Sequence, residues 1–396
     1  MGLTVTGHNI FGEPVTVTVS GTVIHSVRSP EPTETVPRDL WVLPGLVDLQ
    51  VNGFAGHDLN GEGVTPDTVK EVVRALWPHG VTRFCPTVCT ASHEQMITAL
   101  RAVACACDEI EWVDRAVVGI HVEGPYISPE DGPRGAHSKD YVRDPDWAEV
   151  QAFQDAAGGR IRLFTLAPEC PGALDLIERL SRSGIVPAIG HTNATRDDIL
   201  AAVRAGARLS THLGNGAHAM LPRHPNYIWE QLAADALWAT LIVDGHHLPP
   251  SVVKVFVRAK GIHRCVLVSD AVWLAGQTPG TYQCLSGPVE LTADQMIRVA
   301  GTQYLAGSAL DLGTAVVNAV SFAGIGMADA VEMASHHPAM LLHRPELGTL
   351  VPGSCADILL ARWPSAGGGL EIVQTIAGGE VVYAPQLGVG VAEAGA

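Results

Sequence analysis

Apolar and polar positions alternate with two different periods along this chain. Residues 15–27, VTVTVSGTVIHSV, have the period of two that is typical of half-exposed strands. From residue 40 to residue 271, apolar runs of strand length alternate with helical patterns. Strands are predicted at 40–51, 81–88, 116–124, 161–169, 184–191, 208–213, 238–245 and 264–271. Helices are predicted at 65–80, 92–107, 145–157, 172–183, 195–207 and 250–261. This order predicts an α/β fold, a (β/α)8 TIM-type barrel.

Two segments break the alternation, and both leave from the carboxyl ends of predicted strands. Residues 214–237 form a long excursion, and residues 272–306, rich in Gly and Thr, indicate a loop with a hairpin. The active sites of parallel barrels are built at that end of the strands. Helices are predicted again at 308–323 and 328–342.

The two ends of the chain both have strand patterns. At the carboxyl end, residues 347–363 and 371–385 are strand-like, and they could pair with the amino-terminal strands. We therefore predict a small β domain made of residues 1–42 and 346–396, and a (β/α)8 barrel at 43–345.

Composition narrows the class of protein. The chain has 396 residues, 47% of them apolar, and a formal charge of −16 from 25 basic and 41 acidic residues. Binding to nucleic acid is disfavoured, because no basic stripe is visible. No apolar run reaches the ~18 residues of a membrane helix, and the first residues lack the pattern of a signal peptide. The expected location is the cytoplasm.

The eight cysteines do not form paired C-x2-C units. The pairs Cys85/Cys89 and Cys105/Cys107 could in principle bind a metal. We interpret them instead as reduced core cysteines of a cytosolic protein.

Four groups with metal-binding or proton-transfer chemistry lie at the ends of predicted strands. Glu123 ends the third strand, His191 the fifth, His212 the sixth and Asp270 the eighth. The carboxyl ends of all eight strands share one rim of a barrel. Two histidines, a carboxylate and an open position suit Zn²⁺ or a similar divalent ion that activates water. A free carboxylate at the eighth strand could then take and return the water proton.

Over nearly its whole length the chain resembles the N-acetylglucosamine-6-phosphate deacetylases of the amidohydrolase superfamily. The resemblance rests on LPGLVDLQVNGFAGHDLN (43–60), GIHVEGPYISPEDGPRGAH (119–137), GHTNAT (190–195), THLGN (211–215), IVDGHHL (242–248), VSDA (268–271), YLAGSAL (304–310) and LGTLVPGSCADILLA (347–361). It implies a barrel with a small β domain, a divalent metal, a homodimer, and hydrolysis of the N-acetyl group of a small amino-sugar phosphate.

The resemblance also implies roles for single residues. Glu123, His191 and His212 match the metal ligands of the family. Asp270 matches the catalytic aspartate, which activates water and then protonates the leaving amine.

Five further residues match substrate-binding positions of the family. His137 matches a histidine near the sugar, and His247 matches a histidine that helps to hold the phosphate. Asn215, Gly216 and Arg223 lie where family members also contact the phosphate, the arginine usually across the dimer interface.

The first strand carries Gln50 and Asn52 where many amidohydrolases have His-x-His and two metals. Neutral amides are poor ligands for Zn²⁺ beside imidazole, and the same variant occurs in the single-metal branch of the deacetylases. We predict one divalent ion, with Zn²⁺ favoured over Fe²⁺, Co²⁺ and Mn²⁺. Hydrogen bonding within the first-strand turn is an equally good interpretation of the two amides.

The segment after His212 departs from the family pattern T-H-L-F/Y-N-A-M. Gly214 replaces an aromatic residue, and Gly216 replaces a residue whose backbone N–H meets phosphate. Trp229 and the segment 272–276 could reshape the pocket. Two alternatives to the deacetylase therefore stay open: an amidohydrolase acting on a different N-acyl amino sugar or other small amide, and a non-catalytic sugar-phosphate-binding protein.

Overall fold

Eight parallel strands form the centre of the computed structural model, which describes residues 2–284, 287–302, 305–364 and 369–385. They follow one another around the sheet in chain order, which confirms the TIM-type barrel. The barrel closes where Asp270 N donates to Gln50 O (3.0 Å) and Asn52 N donates to Ala271 O (2.8 Å). The strands are Leu46–Val51, Val81–Cys89, Ile120–Glu123, Ile161–Leu166, Val186–Ile189, Leu209–Ser210, Trp238–Leu241 and Cys265–Leu267.

Helices cover the outside of the barrel, and several begin at capping residues that the sequence shows. The side chains of Thr65, Ser92 and Thr195 each accept the backbone N–H three residues later. The buried apolar residues of the helices belong to the same hydrophobic core as those of the strands. The helices are Pro66–Leu76, His93–Glu109, Glu111–Ala116, Trp147–Ala156, Ala173–Arg182, Arg196–Ala205, Tyr227–Ala233, Pro250–Lys260, Leu312–Ala323, Met327–Met333 and His336–Leu341. Single 3-10 turns lie at Trp77–His79, Lys139–Tyr141 and Ile262–Arg264. None of the helices in the described part of the chain is long and apolar enough to span a bilayer.

The excursion at 214–237 is not wholly irregular, because it contains the helix Tyr227–Ala233. Asn226 caps its amino end, because its side-chain oxygen accepts from the backbone N–H groups of Ile228 and Trp229. At the other end, the buried Lys260 Nζ donates to the carbonyls of Gln231 (2.9 Å) and Ala234 (2.7 Å). The helix is therefore fixed at both ends.

The segment 272–306 was predicted as a loop with a hairpin, and it forms a larger unit of four antiparallel strands. These strands are Gly280–Cys284, Gly287–Leu291, Met296–Val299 and Leu305–Ser308. Tyr304, the first residue of the YLAGSAL motif, lies outside the described residues.

Strands from both chain ends form a separate seven-stranded sheet, as predicted. In spatial order they are Glu380–Tyr383, Glu371–Ala377, Ile358–Arg362, Trp41–Pro44, Thr4–His8, Pro14–Ser20 and Val23–Arg28. The strand Trp41–Pro44 of this sheet crosses the predicted domain boundary after residue 42. The position of that boundary therefore stays a prediction. Residues 386–396 of the predicted small domain lie outside the described residues.

A buried ion pair connects the barrel to this sheet. Arg83, in the second barrel strand, donates through Nε to Asp357 Oδ2 (2.6 Å). The same guanidinium also bonds the carbonyl of Arg115, and Gly378 N donates to Asp357 Oδ1 (2.8 Å). Both charges are therefore hydrogen-bonded on several sides.

Candidate active site

Glu123, His191 and His212 meet inside the rim at the carboxyl ends of the barrel strands. Glu123 ends the third strand, and each histidine follows its strand by two residues. Their ligand atoms all lie within 4.8 Å of one another, and all three residues are buried. His212 Nε2 is 2.9 Å and His191 Nε2 is 3.2 Å from Glu123 Oε1.

The backbone at these strand ends is unusual. His191 (φ 50°), His212 (φ 29°) and Asp270 (φ 50°) are all in the left-handed region, which is uncommon for residues with a side chain. Such conformations cost free energy and cluster at functional sites, where the surrounding fold maintains them. Three of the four residues expected from the sequence to do chemistry share this feature.

The donor set fits a divalent metal ion. His191 Nδ1 lies 2.9 Å from the carbonyl oxygen of Pro133 and donates a hydrogen bond to it. With its proton on Nδ1, the imidazole presents the lone pair of Nε2 to the other two ligands. His191 Nε2 and His212 Nε2 face each other at 3.1 Å beside the carboxylate, an arrangement that a shared cation satisfies. Burial acts to raise the pKa of Glu123, but the adjacent imidazoles of His191 and His212 hold it well below its usual value. The carboxylate is thus ready to bind a cation.

Asp270 lies three residues beyond the eighth strand and is held by the first strand. Asn52 Nδ2 donates to Asp270 Oδ1 at 2.7 Å, and Gln50 Nε2 donates to Glu123 Oε1 at 2.9 Å. Burial, and the nearby negative charge of Glu123, raise the pKa of Asp270 to about 6. The side-chain amides of the first strand therefore act as hydrogen-bond donors, and each orients one of the two carboxylates.

His137 lies at the edge of the triad, and His247 lies on another loop of the rim. The Nε2 atom of His137 is 3.2 Å from His191 Nε2. Burial and the neighbouring His191 lower the pKa of His137 to about 3, so its imidazole is neutral. His247 Nδ1 is 2.6 Å from Asp244 Oδ2, and His247 N donates to the other oxygen of that carboxylate (2.7 Å).

The departures after His212 have a steric reason. At Gly214 a Cβ would lie 2.9 Å from the ring of Phe256. At Gly216 (φ 55°) a Cβ would lie 2.7 Å from His191 Nδ1. Glycine is therefore needed at both positions, and the loop packs directly on a ligand of the triad.

The other two residues expected to contact the substrate, Asn215 and Arg223, are not hydrogen-bonded to the side chains of the triad. Asn215 donates its backbone N–H (2.9 Å) and its side-chain amide (3.3 Å) to the carbonyl of His212. Arg223 is exposed, and its guanidinium has no hydrogen-bond or ion-pair partner in the part of the chain that the structure describes.

The sequence reasoning missed three groups that support the site. They are Asp244 beside His247, the Pro133 carbonyl beside His191, and Cys89, whose Sγ is 3.0 Å from Asn52 Oδ1 and 3.5 Å from Glu123 Oε2. Cys89 was interpreted as a core cysteine, although its place at the end of the second strand could have indicated the rim. The acidic residue in IVDGHHL could have indicated a partner for the histidine.

A parallel barrel with a Glu-His-His cluster and a separate carboxylate on its catalytic rim defines a class of metal-dependent hydrolase. The comparison with known families agrees, because the pattern of the Amidohydrolase family matches residues 41–382. The chain belongs to the amidohydrolase family, whose members are metal-dependent hydrolases of amide C–N bonds.

Individual relatives confirm the resemblance to amino-sugar-phosphate deacetylases. The chain is 34% identical to the N-acetylgalactosamine-6-phosphate deacetylase of Shewanella sp. (strain ANA-3), over 80% of this chain and 78% of that protein. It is 32% identical to the N-acetylglucosamine-6-phosphate deacetylase of Lysinibacillus sphaericus, over 81% of each chain. The solved N-acetyl-D-glucosamine-6-phosphate deacetylase of Mycobacterium smegmatis, in complex with N-acetyl-D-glucosamine-6-phosphate, superposes with a TM-score of 0.85 at 28% identity, over 96% of this chain and 99% of that one.

Proposed function

We propose that this protein hydrolyses the N-acetyl group of N-acetylglucosamine-6-phosphate, giving glucosamine-6-phosphate and acetate. One observation carries the proposal: Asp270 lies on the same rim as the convergent Glu123, His191 and His212, in a chain whose relatives are named for this reaction. The wild-type protein should release acetate in a metal-dependent reaction.

Glu123, His191 and His212 would hold a single divalent ion. When bound, such an ion acts as a Lewis acid and lowers the pKa of water into the neutral range. Zn²⁺ suits two imidazoles and one carboxylate, and Fe²⁺, Co²⁺ or Mn²⁺ are the alternatives. Gln50 and Asn52 support one ion rather than two, because their amide nitrogens are already donating to carboxylates.

Asp270 would move the proton. One of its oxygens, Oδ1, accepts from Asn52 Nδ2, which fixes the plane of the carboxylate. Asp270 would take the proton of the attacking water and deliver it to the amine nitrogen as the C–N bond breaks. A pKa raised to about 6 suits both steps near neutral pH.

The other rim residues would bind the substrate. His137, neutral and next to His191, would donate a hydrogen bond to the acetyl oxygen as negative charge develops there. His247 would bind the phosphate, supported by the carboxylate of Asp244. Asn215, Gly216 and Arg223 would complete the anion site, with Arg223 reaching a neighbouring subunit in a homodimer.

The galacto epimer is the second candidate substrate. Two relatives, at 34% and 32% identity, are N-acetylgalactosamine-6-phosphate deacetylases, and identity does not separate them from the N-acetylglucosamine-6-phosphate deacetylases, which are 29% to 35% identical. The glycines at 214 and 216 reshape the loop next to His191, so a different N-acyl group is the next alternative.

We also propose that the protein is located in the cytoplasm. The seven cysteines whose side chains are described are all free, as in a reducing compartment.

Acetate release tests the proposal. Purified protein with Zn²⁺ is assayed on N-acetylglucosamine-6-phosphate, on its galacto epimer and on unphosphorylated N-acetylglucosamine. We expect turnover of the phosphorylated gluco sugar and little of the unphosphorylated one. Turnover of the galacto epimer alone would favour the second candidate. No turnover of any of the three by metal-loaded protein would refute the proposed reaction.

A further inference from the structure

Cys89 is placed at the rim by its own backbone and by a neighbouring side chain. It is the last residue of the second barrel strand, and its N–H donates to Asn60 Oδ1 at 2.8 Å. Asn60 is held in turn by a bond from its Nδ2 to the carbonyl of Thr87 at 2.9 Å. The thiol therefore points to a fixed place beside the catalytic carboxylates.

The thiol bonds the side chain that holds Asp270. Cys89 Sγ is 3.0 Å from Asn52 Oδ1, and Asn52 Nδ2 donates to Asp270 Oδ1 at 2.7 Å. An amide oxygen only accepts hydrogen bonds, so the thiol must be the donor.

The two contacts together decide which way round the Asn52 amide lies. In the observed orientation the oxygen faces the thiol and the nitrogen faces the carboxylate. The flipped orientation would set the amide oxygen against the carboxylate of Asp270 and leave two acceptors in contact. A donor at position 89 therefore favours the orientation that holds Asp270.

We propose that Cys89 is a positioning residue for the hydrolysis, acting through Asn52 to hold the carboxylate of Asp270 in its reactive orientation. This inference rests on the proposed function, because it concerns the same reaction. It departs from the interpretation of Cys89 as a core cysteine.

A competing role, in which Cys89 binds a second metal as a thiolate, has less support. Among the described residues, only Glu123, His191 and His212 bring three His, Cys, Asp or Glu ligand atoms within 4.8 Å of one another. The contact of Cys89 Sγ with Glu123 Oε2, at 3.5 Å, is that of a weak hydrogen bond.

Three substitutions separate the hydrogen bond from the volume of the side chain. Cys89→Ser keeps a donor, Cys89→Val keeps bulk without a donor, and Cys89→Ala removes both. A cavity of about 310 Å³, lined in part by Cys89, leaves room for the branched side chain of valine. Cys355→Ala, which removes a half-buried thiol far from the rim, is the control.

The variants are assayed for kcat, KM and bound metal per chain. We expect the valine and alanine variants to lose about five- to tenfold in kcat, the effect of one hydrogen bond, with KM and metal content unchanged. The serine variant should keep kcat within about twofold of the wild type, since it retains the donor. A valine variant with wild-type kcat would overturn the proposal, and so would a serine variant that falls as far as valine. Loss of one of two bound ions from the valine variant would establish the metal role instead.

Crystal structures of the serine and valine variants give a readout that needs no substrate. We expect Asn52 to keep its 2.7 Å bond to Asp270 in the serine variant and to leave it in the valine variant, with Glu123, His191 and His212 unmoved. If wild-type protein hydrolyses none of the sugars, the proposed function fails while this structural result still decides the role of Cys89. An unchanged Asn52 in the valine variant would contradict the positioning role.

Discussion

Charged groups are buried in two regions of this molecule, and the two regions treat them differently. Between the barrel and the small sheet, Arg83 and Asp357 neutralise each other and are further bonded by backbone groups. On the catalytic rim, Glu123 and Asp270 lie close together without a Lys or Arg among their hydrogen-bond partners in the described chain. His212 Nδ1 and Gln50 Oε1, both buried, also lack a hydrogen-bond partner among the described residues.

The difference indicates what each region is for. A compensated ion pair holds two parts of the fold together, and removing one partner leaves a costly buried charge. An uncompensated set of anions and imidazoles, on backbone in the left-handed region, is a site whose charge is balanced by a ligand. Substitutions on the rim should therefore change activity, and substitutions at the other contact should change stability.

The largest expected effect is on the rim. Asp270→Asn removes the group that takes and returns the proton but preserves its shape, so we expect kcat to fall by about a thousandfold or more. The free energy of unfolding should stay the same or rise, because a buried carboxylate is neutralised. Acetate release and denaturant unfolding measure the two. A variant that keeps a tenth of wild-type kcat would remove Asp270 from the mechanism.

The next largest effect is at the contact with the small sheet. Arg83→Met leaves Asp357 charged and buried, and we expect a loss of about 3 kcal/mol in the free energy of unfolding. The kcat of protein that remains folded should hardly change. Arg182→Met, which breaks the exposed pair with Glu178, is the matched control and should cost less than about 1 kcal/mol. Equal losses in both variants would mean that the buried pair does not join the two parts of the fold.

A smaller effect, a pH-dependent change in the free energy of unfolding, is expected from Asp48, which lies inside the barrel beneath the rim. Asp48 is fully buried, and its Oδ2 has no hydrogen-bond partner in the described chain. Burial raises the pKa of Asp48 to about 7, against hydrogen bonds from Ser269 and Gln50 that lower it. Because the pKa of Asp48 is higher in the folded state than in the unfolded state, protonated Asp48 contributes to the stability of the fold. This contribution is complete below about pH 4 and is lost as the pH rises through about 7.

Asp48→Asn tests this, because asparagine has no such titration. Relative to the variant, wild-type protein should lose on the order of 2 kcal/mol of stability between pH 5 and pH 8. Urea unfolding of both proteins at the two pH values measures the difference. Parallel stability curves would show that Asp48 does not titrate in this range.

Much of the fold and of the rim could be predicted because both follow from periodicity. Eight apolar runs predict eight strands, and parallel strands bring their carboxyl ends to one rim. Glu123, His191, His212 and Asp270 could therefore be placed together from the sequence. The helix Tyr227–Ala233 was missed, since its polar and aromatic residues lack a clear helical face and its ends depend on Asn226 and Lys260.

Contacts through backbone atoms and through ambiguous side chains could not be predicted. The bond between His191 and the carbonyl of Pro133 depends on a loop conformation that no residue type indicates. Cys89 is equally suited to an apolar core and to a hydrogen bond, and only its distance to Asn52 separates the two.

The predicted helix at 328–342 is two helices, because the backbone of Ser335 is not helical (φ −138°, ψ −73°).

The most direct test of the account is a metal titration of the chelated protein. Metal-free wild-type protein is mixed with increasing Zn²⁺, and acetate release from N-acetylglucosamine-6-phosphate is followed together with bound metal per chain. Glu123→Gln serves as the comparison, because it weakens the ligand set without changing its shape. We expect no turnover without metal, full activity at one ion per wild-type chain, and neither tight binding nor activity in the variant. Full turnover by metal-free protein, or activity that saturates only at two ions per chain, would contradict the single-ion site formed by Glu123, His191 and His212.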